Sequence, residues 1–101
     1  MDAQYKNVTA ERATNVIYLN DANSLLRLKI AFTPLDEVCK PFVFVNGEVA
    51  NVYPNYHLKK NGGFTVFVDV PPRGTYEIDS GGCKVEKIEI LVKPMILEEL
   101  K

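Results

Sequence analysis

The chain is 101 residues long, 47% hydrophobic and 25% charged, with a formal net charge of -1. That is the size of one domain, able to bury roughly 60–70% of its unfolded surface without a metal or disulfide, and its balance of charge offers no basic face to a phosphate backbone. A single histidine and two isolated cysteines, Cys39 and Cys83, exclude a four-ligand zinc site, and no run approaches the roughly 20 apolar residues that cross a bilayer.

Residues 1–13 are polar, lack any apolar signal-peptide core and show no period, so they are expected to form a flexible arm. A strand is expected over TNVIYLN (14–20), which is rich in β-branched and aromatic residues, followed by the turn formers Asp-Ala-Asn-Ser. From Ser24 the pattern sharpens. Leu26, Leu28, Ile30 and Phe32 alternate with Arg27, Lys29 and Ala31, the two-residue period of a half-buried strand.

Pro34 ends that strand and TPLDEVCKP (33–41) reads as a loop. Asn46-Gly47 between FVFV (42–45) and EVANVY (48–53) is a strong hairpin signal, because both central residues of a type I′ turn take positive φ. FVFV is apolar on both faces and is expected in the middle of a sheet. A second hairpin turns at Asn61-Gly62-Gly63, and the strand FTVFVDV that follows stops at Pro71-Pro72, neither of which can donate to a ladder. After a short strand at 75–79, Ser80-Gly81-Gly82 turns the chain into a last strand over 83–92. Its apolar period slips from odd to even positions, which predicts a bulge near Glu86-Lys87.

Short strands at near-regular spacing, with Gly and Pro at the turns, predict an all-β domain over 14–93: about seven antiparallel strands in a two-layer sandwich. The tail at 94–101 stands apart, since Met95, Ile96, Leu97 and Leu100 can line a short amphipathic C-terminal helix. Both cysteines are expected as reduced, half-buried thiols, the common state of isolated cysteines. The alternative is a bridge between the loop before one strand and the loop before the last, which requires Cα atoms within about 7 Å.

The stretch NGGFTVFVDVPPRGTYEI, with VFVNGE before it, resembles the prealbumin-like or carboxypeptidase-regulatory-like β-sandwiches, which share immunoglobulin-like architecture. The residues that carry the resemblance are Asn61, Gly62 or Gly63, Phe64, Val66, Pro71, Pro72, Gly74, Thr75 and Tyr76. It implies a sandwich in an accessory, non-catalytic role. The antibody pattern itself fails, because there is no tryptophan and Ile78 stands where a cysteine would follow the tyrosine.

Pro71, Pro72, Gly74 and Tyr76 read as an architectural corner. The prolines stiffen it, Gly74 is expected at positive φ, and the Tyr76 hydroxyl is expected on nearby backbone. The loop residues Tyr53, Asn55, Tyr56 and His57 form a candidate binding loop, in which aromatic faces could stack on sugars or a protein while Asn and His take hydroxyls. His57 with a cysteine and an aspartate meets the inventory of a triad, but no spacing joins them. Neither a calcium loop nor a phosphate-binding glycine loop is present in the pattern.

The expected function is therefore a non-catalytic structural or protein-interaction module, self-assembling through strand edges or the tail Met95, Ile96, Leu97 and Leu100. A carbohydrate-binding accessory module using the Tyr53–His57 loop is the alternative. No enzyme activity, cofactor, metal, nucleic acid or membrane insertion is expected. Single-stranded nucleic acid binding on a barrel would need aromatics interleaved with Lys and Arg, whereas these phenylalanines alternate mostly with valines.

Overall fold

In a computed structural model, residues 4–35, 40–50 and 62–92 are described. They form an all-β sandwich of eight strands, one more than expected: β1 Lys6–Asn7, β2 Tyr18–Leu19, β3 Leu26–Pro34, β4 Phe42–Val45, β5 Glu48–Val49, β6 Phe64–Val70, β7 Thr75–Asp79 and β8 Cys83–Val92. Two four-stranded sheets result, ordered β1-β8-β3-β6 and β2-β7-β4-β5, and every pairing is antiparallel. We refer to them as the first and second sheets.

The core follows from the two-residue periods. Leu26, Leu28, Ile30 and Phe32 of β3 lie buried opposite Val70, Val68, Val66 and Phe64 of β6. Across the sandwich they meet Val43 of β4 and Tyr76 and Ile78 of β7. Burying a side chain of this size contributes about 1.5–3 kcal/mol, so both sheets are held by the same cluster. Phe32 and Phe64 stack with ring centroids 5.6 Å apart.

The slip of period in β8 is a bulge. Lys87 lies opposite Ala31 and Val85 opposite Phe32, so Glu86 is the extra residue, and Val85 and Ile88 both face inward despite their opposite parity. The hairpin between β4 and β5 turns through Asn46 (φ 52) and Gly47 (φ 83), the two positive φ angles that Asn-Gly signals. β4 lies between β7 and β5, inside the second sheet as FVFV predicts.

The first twenty residues depart most from expectation. The strand read over 14–20 is paired only at Tyr18 and Leu19, and Asn15 sits at φ 62 where the chain enters it. The stretch read as an arm supplies β1, paired with β8 through Lys6 opposite Ile90 and Asn7 opposite Glu89. Val8 is buried at 2% exposure and its N–H donates to the Ile88 carbonyl (2.8 Å), while the Ile88 N–H donates to Thr9 Oγ1 (2.9 Å). One buried valine and a threonine hydroxyl tie the segment down, and neither leaves a period in the sequence.

The cysteine expectation is corrected as well. Cys83 is disulfide-bonded and buried, opposite Pro34 at the start of β8; Cys39, the chain's other cysteine, lies outside the described residues. Replacing Cys83 by serine is expected to lower the unfolding free energy by about 2–5 kcal/mol, the usual cost of losing a native bridge in a small domain. Thermal melts with and without reductant check this. Reductant should bring the wild-type midpoint down to the variant's, and an unmoved midpoint would contradict it.

Candidate functional site

The corner between β6 and β7 proves architectural, with its parts redistributed. The Pro71 carbonyl accepts from the Gly74 N–H (2.9 Å), closing a turn whose third residue, Arg73, carries the positive φ (65) that was expected of Gly74. Glycine at 74 leaves room that a side chain would crowd, because a Cβ there would stand 3.0 Å from the Pro71 carbonyl oxygen and 3.1 Å from its ring. Arg73 is held in this conformation by its N–H on the Asn20 carbonyl and its guanidinium on Asp21 O and Asn23 Oδ1. Tyr76 is buried and stacked on Tyr18 (5.6 Å), but its hydroxyl accepts from Arg12 Nε (3.0 Å) rather than from backbone. Arg12 also lies over the Tyr18 ring at 4.9 Å.

Asn20 is the residue that sequence reasoning missed here. It is 3% exposed, and its Nδ2 donates to the carbonyls of Ser24 (3.0 Å), Val70 (3.2 Å) and Pro71 (3.1 Å), while Oδ1 accepts from the Ala22 N–H. A buried amide must find such partners. This one joins the two layers where β6 hands over to β7.

The outward faces of the two sheets differ in chemistry. On the first sheet, outward positions carry paired charges. Arg27 makes two bonds to Asp69 (2.8 and 3.2 Å), Lys29 and Lys87 approach Glu89, and Lys84 approaches Glu86. The hydrogen bond and charge of Asp69 raise the Arg27 guanidinium above its already high pKa. Exposed pairs of this kind add little stability; they keep the face wet. Phe67 is the large apolar residue exposed among them, with Lys29 Nζ 6.0 Å from its ring.

The second sheet turns a mostly apolar face to solvent. Val49 of β5 pairs with Phe44 of β4, Phe44 with Glu77 of β7, and Thr75 of β7 with Leu19 of β2. Ile17, just before β2, joins Phe44, Gly47, Thr75, Tyr76 and Glu77 around a shallow depression of about 40 Å³. Ile17, Leu19 and Val49 are 68%, 56% and 52% exposed, and Phe42 stacks on Phe44 beside them (6.2 Å). The depression is little larger than one water's share of liquid, against roughly 300–1,000 Å³ for a small-molecule site. It suits a side chain, not a substrate. Glu77 sits in this face without an ion pair among the described residues.

This face was not among the surfaces expected from sequence. FVFV marks Phe42 and Phe44 as apolar on the second side, but that pattern reads as the middle of a sheet, and only the pairing with β5 and β7 shows that these two rings lie on the outward side. The expected loop residues Tyr53, Asn55, Tyr56 and His57, and the expected tail Met95, Ile96, Leu97 and Leu100, lie outside the described residues. Among the described residues, no cluster of His, Cys, Asp and Glu could hold a metal ion, and no helix is long and apolar enough to cross a membrane. No family model matches the chain, and neither the curated proteins nor the solved structures yield a match to it.

Proposed function

We propose that the chain is a non-catalytic interaction module that assembles with protein surfaces, copies of itself foremost, through the outward face and edge of its second sheet. The observation that carries this reading is the set of apolar residues that three of the four strands turn outward, Ile17 and Leu19 at β2, Phe44 of β4 and Val49 of β5, on either side of Thr75 and Glu77 of β7, three of them more than half exposed. Exposed apolar side chains gathered on one face and rimmed by polar residues mark an interaction site more often than the same residues scattered singly. Covering each exposed aliphatic is worth about 1.5–3 kcal/mol, against about 4–15 kcal/mol for lost translation and rotation. Association of moderate strength is the expected outcome.

The resemblance of the stretch over about residues 43–79 to prealbumin-like accessory sandwiches is in keeping with a role without catalysis. A disulfide at Cys83 suits an oxidising setting such as a cell surface, a virion or a secreted complex. Sedimentation of the full chain from about 1 µM to about 1 mM, a range that covers weak and strong dimers, tests the reading. A rise in mean mass with concentration is expected; a monomer throughout would overturn self-assembly.

A further inference from the structure

Resting on that reading, we infer that two copies join edge to edge along β2, antiparallel and about a two-fold axis at Tyr18, fusing their second sheets into one. Sheets end in edges, which proteins protect with charge, with proline or by keeping the strand short; β2, two residues long like β1 and β5, has only the last of these. Among the described strands, the edge β1 carries Lys6, the edge β5 carries Glu48, and the edge β6 carries Asp69 and stops at Pro71. The edge at Val16–Leu19 carries no charge and no proline, and Val16, Ile17 and Leu19 are all exposed there. An uncharged strand meets no like charge when it pairs with itself, whereas each of the other edges would bring it a charged residue. The fitting occupant is the same strand of a second copy, in an isologous contact.

The register follows from the backbone. The Asn20 N–H donates to the Gly74 carbonyl (2.8 Å), and Tyr18 lies opposite Tyr76. In an antiparallel ladder the residues alternate, so the even-numbered residues 18 and 20 turn their backbone groups toward β7 and the odd-numbered 17 and 19 turn theirs outward. The outward N–H and C=O of Ile17 and Leu19 have no neighbouring strand among the described residues. Setting Tyr18 opposite the partner copy's same residue places Ile17 opposite the copy's Leu19, and the reverse. All four outward groups on each copy then pair. Shifting by one residue would set an inward side chain against an outward one. Shifting by two one way would bring Leu19 against Asn15, where the chain kinks at φ 62 and the N–H is already given to the Ile78 carbonyl, and the other way would bring Ile17 against the charged Asp21.

The same register makes the apolar faces of the two copies continuous through Ile17 and Leu19. Val49, on the opposite edge of the sheet, stays remote from the contact. The test uses the full chain at concentrations where it associates. In a mixture of isotope-labelled and unlabelled protein, intermolecular Overhauser contacts between Ile17 and Leu19 are expected. Ile17→Lys, at a site exposed enough to leave the fold intact, should weaken association at least about tenfold, while Val49→Lys should change it less than about twofold. Association weakened by Val49→Lys and not by Ile17→Lys, or intermolecular contacts confined to Phe44 and Val49, would overturn edge pairing and leave self-assembly standing. A chain that never associates would overturn both.

Discussion

Aspartate at position 20 is expected to cost about 4 kcal/mol or more at neutral pH, and alanine about 3 kcal/mol, although one atom distinguishes Asn20→Asp from the native residue. The Asn20 amide nitrogen faces three carbonyl oxygens at 3.0–3.2 Å in a site only 3% exposed. Alanine removes its donors and an acceptor, each hydrogen bond being worth roughly 0.5–1.5 kcal/mol net. Aspartate does more harm: it sets a carboxylate oxygen against those carbonyls and buries an unpaired charge. The fold then favours the protonated acid, so the variant's folded pKa rises above the unfolded value of about 3.9. Its deficit is small below that value and grows as pH rises through it. Urea midpoints at about pH 4 and pH 7 check the sign. A deficit equal at the two values would contradict the geometry.

Gly81→Ala should be at least as damaging, above about 4 kcal/mol, which is the range reserved for backbone and core failures. Gly81 has φ +56, and a Cβ there would overlap the carbonyl of Lys40, with Pro41 N 3.0 Å away. Neither side can yield easily. The Lys40 N–H donates to the Gly81 carbonyl (3.0 Å), the Gly81 N–H donates to Asp79 Oδ1 (3.0 Å), and disulfide-bonded Cys83 follows two residues later. Gly47 supplies the control. It has φ +83 with nothing within 4 Å of a Cβ, so Gly47→Ala should show only the left-handed penalty of roughly 1–2 kcal/mol. Equilibrium unfolding of the two variants side by side gives the comparison, and equal losses would mean that close approach at Gly81 is unimportant.

Residues whose structure is set by near neighbours were the legible ones. β3 alternates from Leu26 to Phe32 as its side chains dictate and runs on through Thr33–Pro34, which read as loop; Asn46-Gly47 turns at the two angles that pair favours, and the parity change in β8 locates the bulge at Glu86. Residues whose structure is set across the sandwich were not. Asn20 looks like an ordinary strand end because its partners Val70 and Pro71 lie fifty residues along the chain. Val8 is one valine in a polar run, and nothing local says that it seats against β8. At the corner, either Arg73 or Gly74 could have taken the left-handed angle; the hydrogen bonds from Arg73 to the loop at 20–23 decide it. The candidate site failed to show for the same reason. Alternation tells which side chains share a face, but whether a face is covered depends on strand order.

The placement of β1 and β2 bears on how the molecule is made. Lys6 needs Ile90 and Tyr18 needs Tyr76, so each layer pairs an outermost strand with a part of the chain that is translated much later. At about 5–20 residues per second, the N-terminal stretch leaves the ribosome seconds before its partners exist. Throughout that interval the nascent chain exposes Val16-Ile17-Tyr18-Leu19 with nothing to pair against, a segment that chaperones would bind and that neighbouring polysome products could seize. The first sheet is therefore complete only once the chain has reached Ile90, and pairings of such long range form slowly.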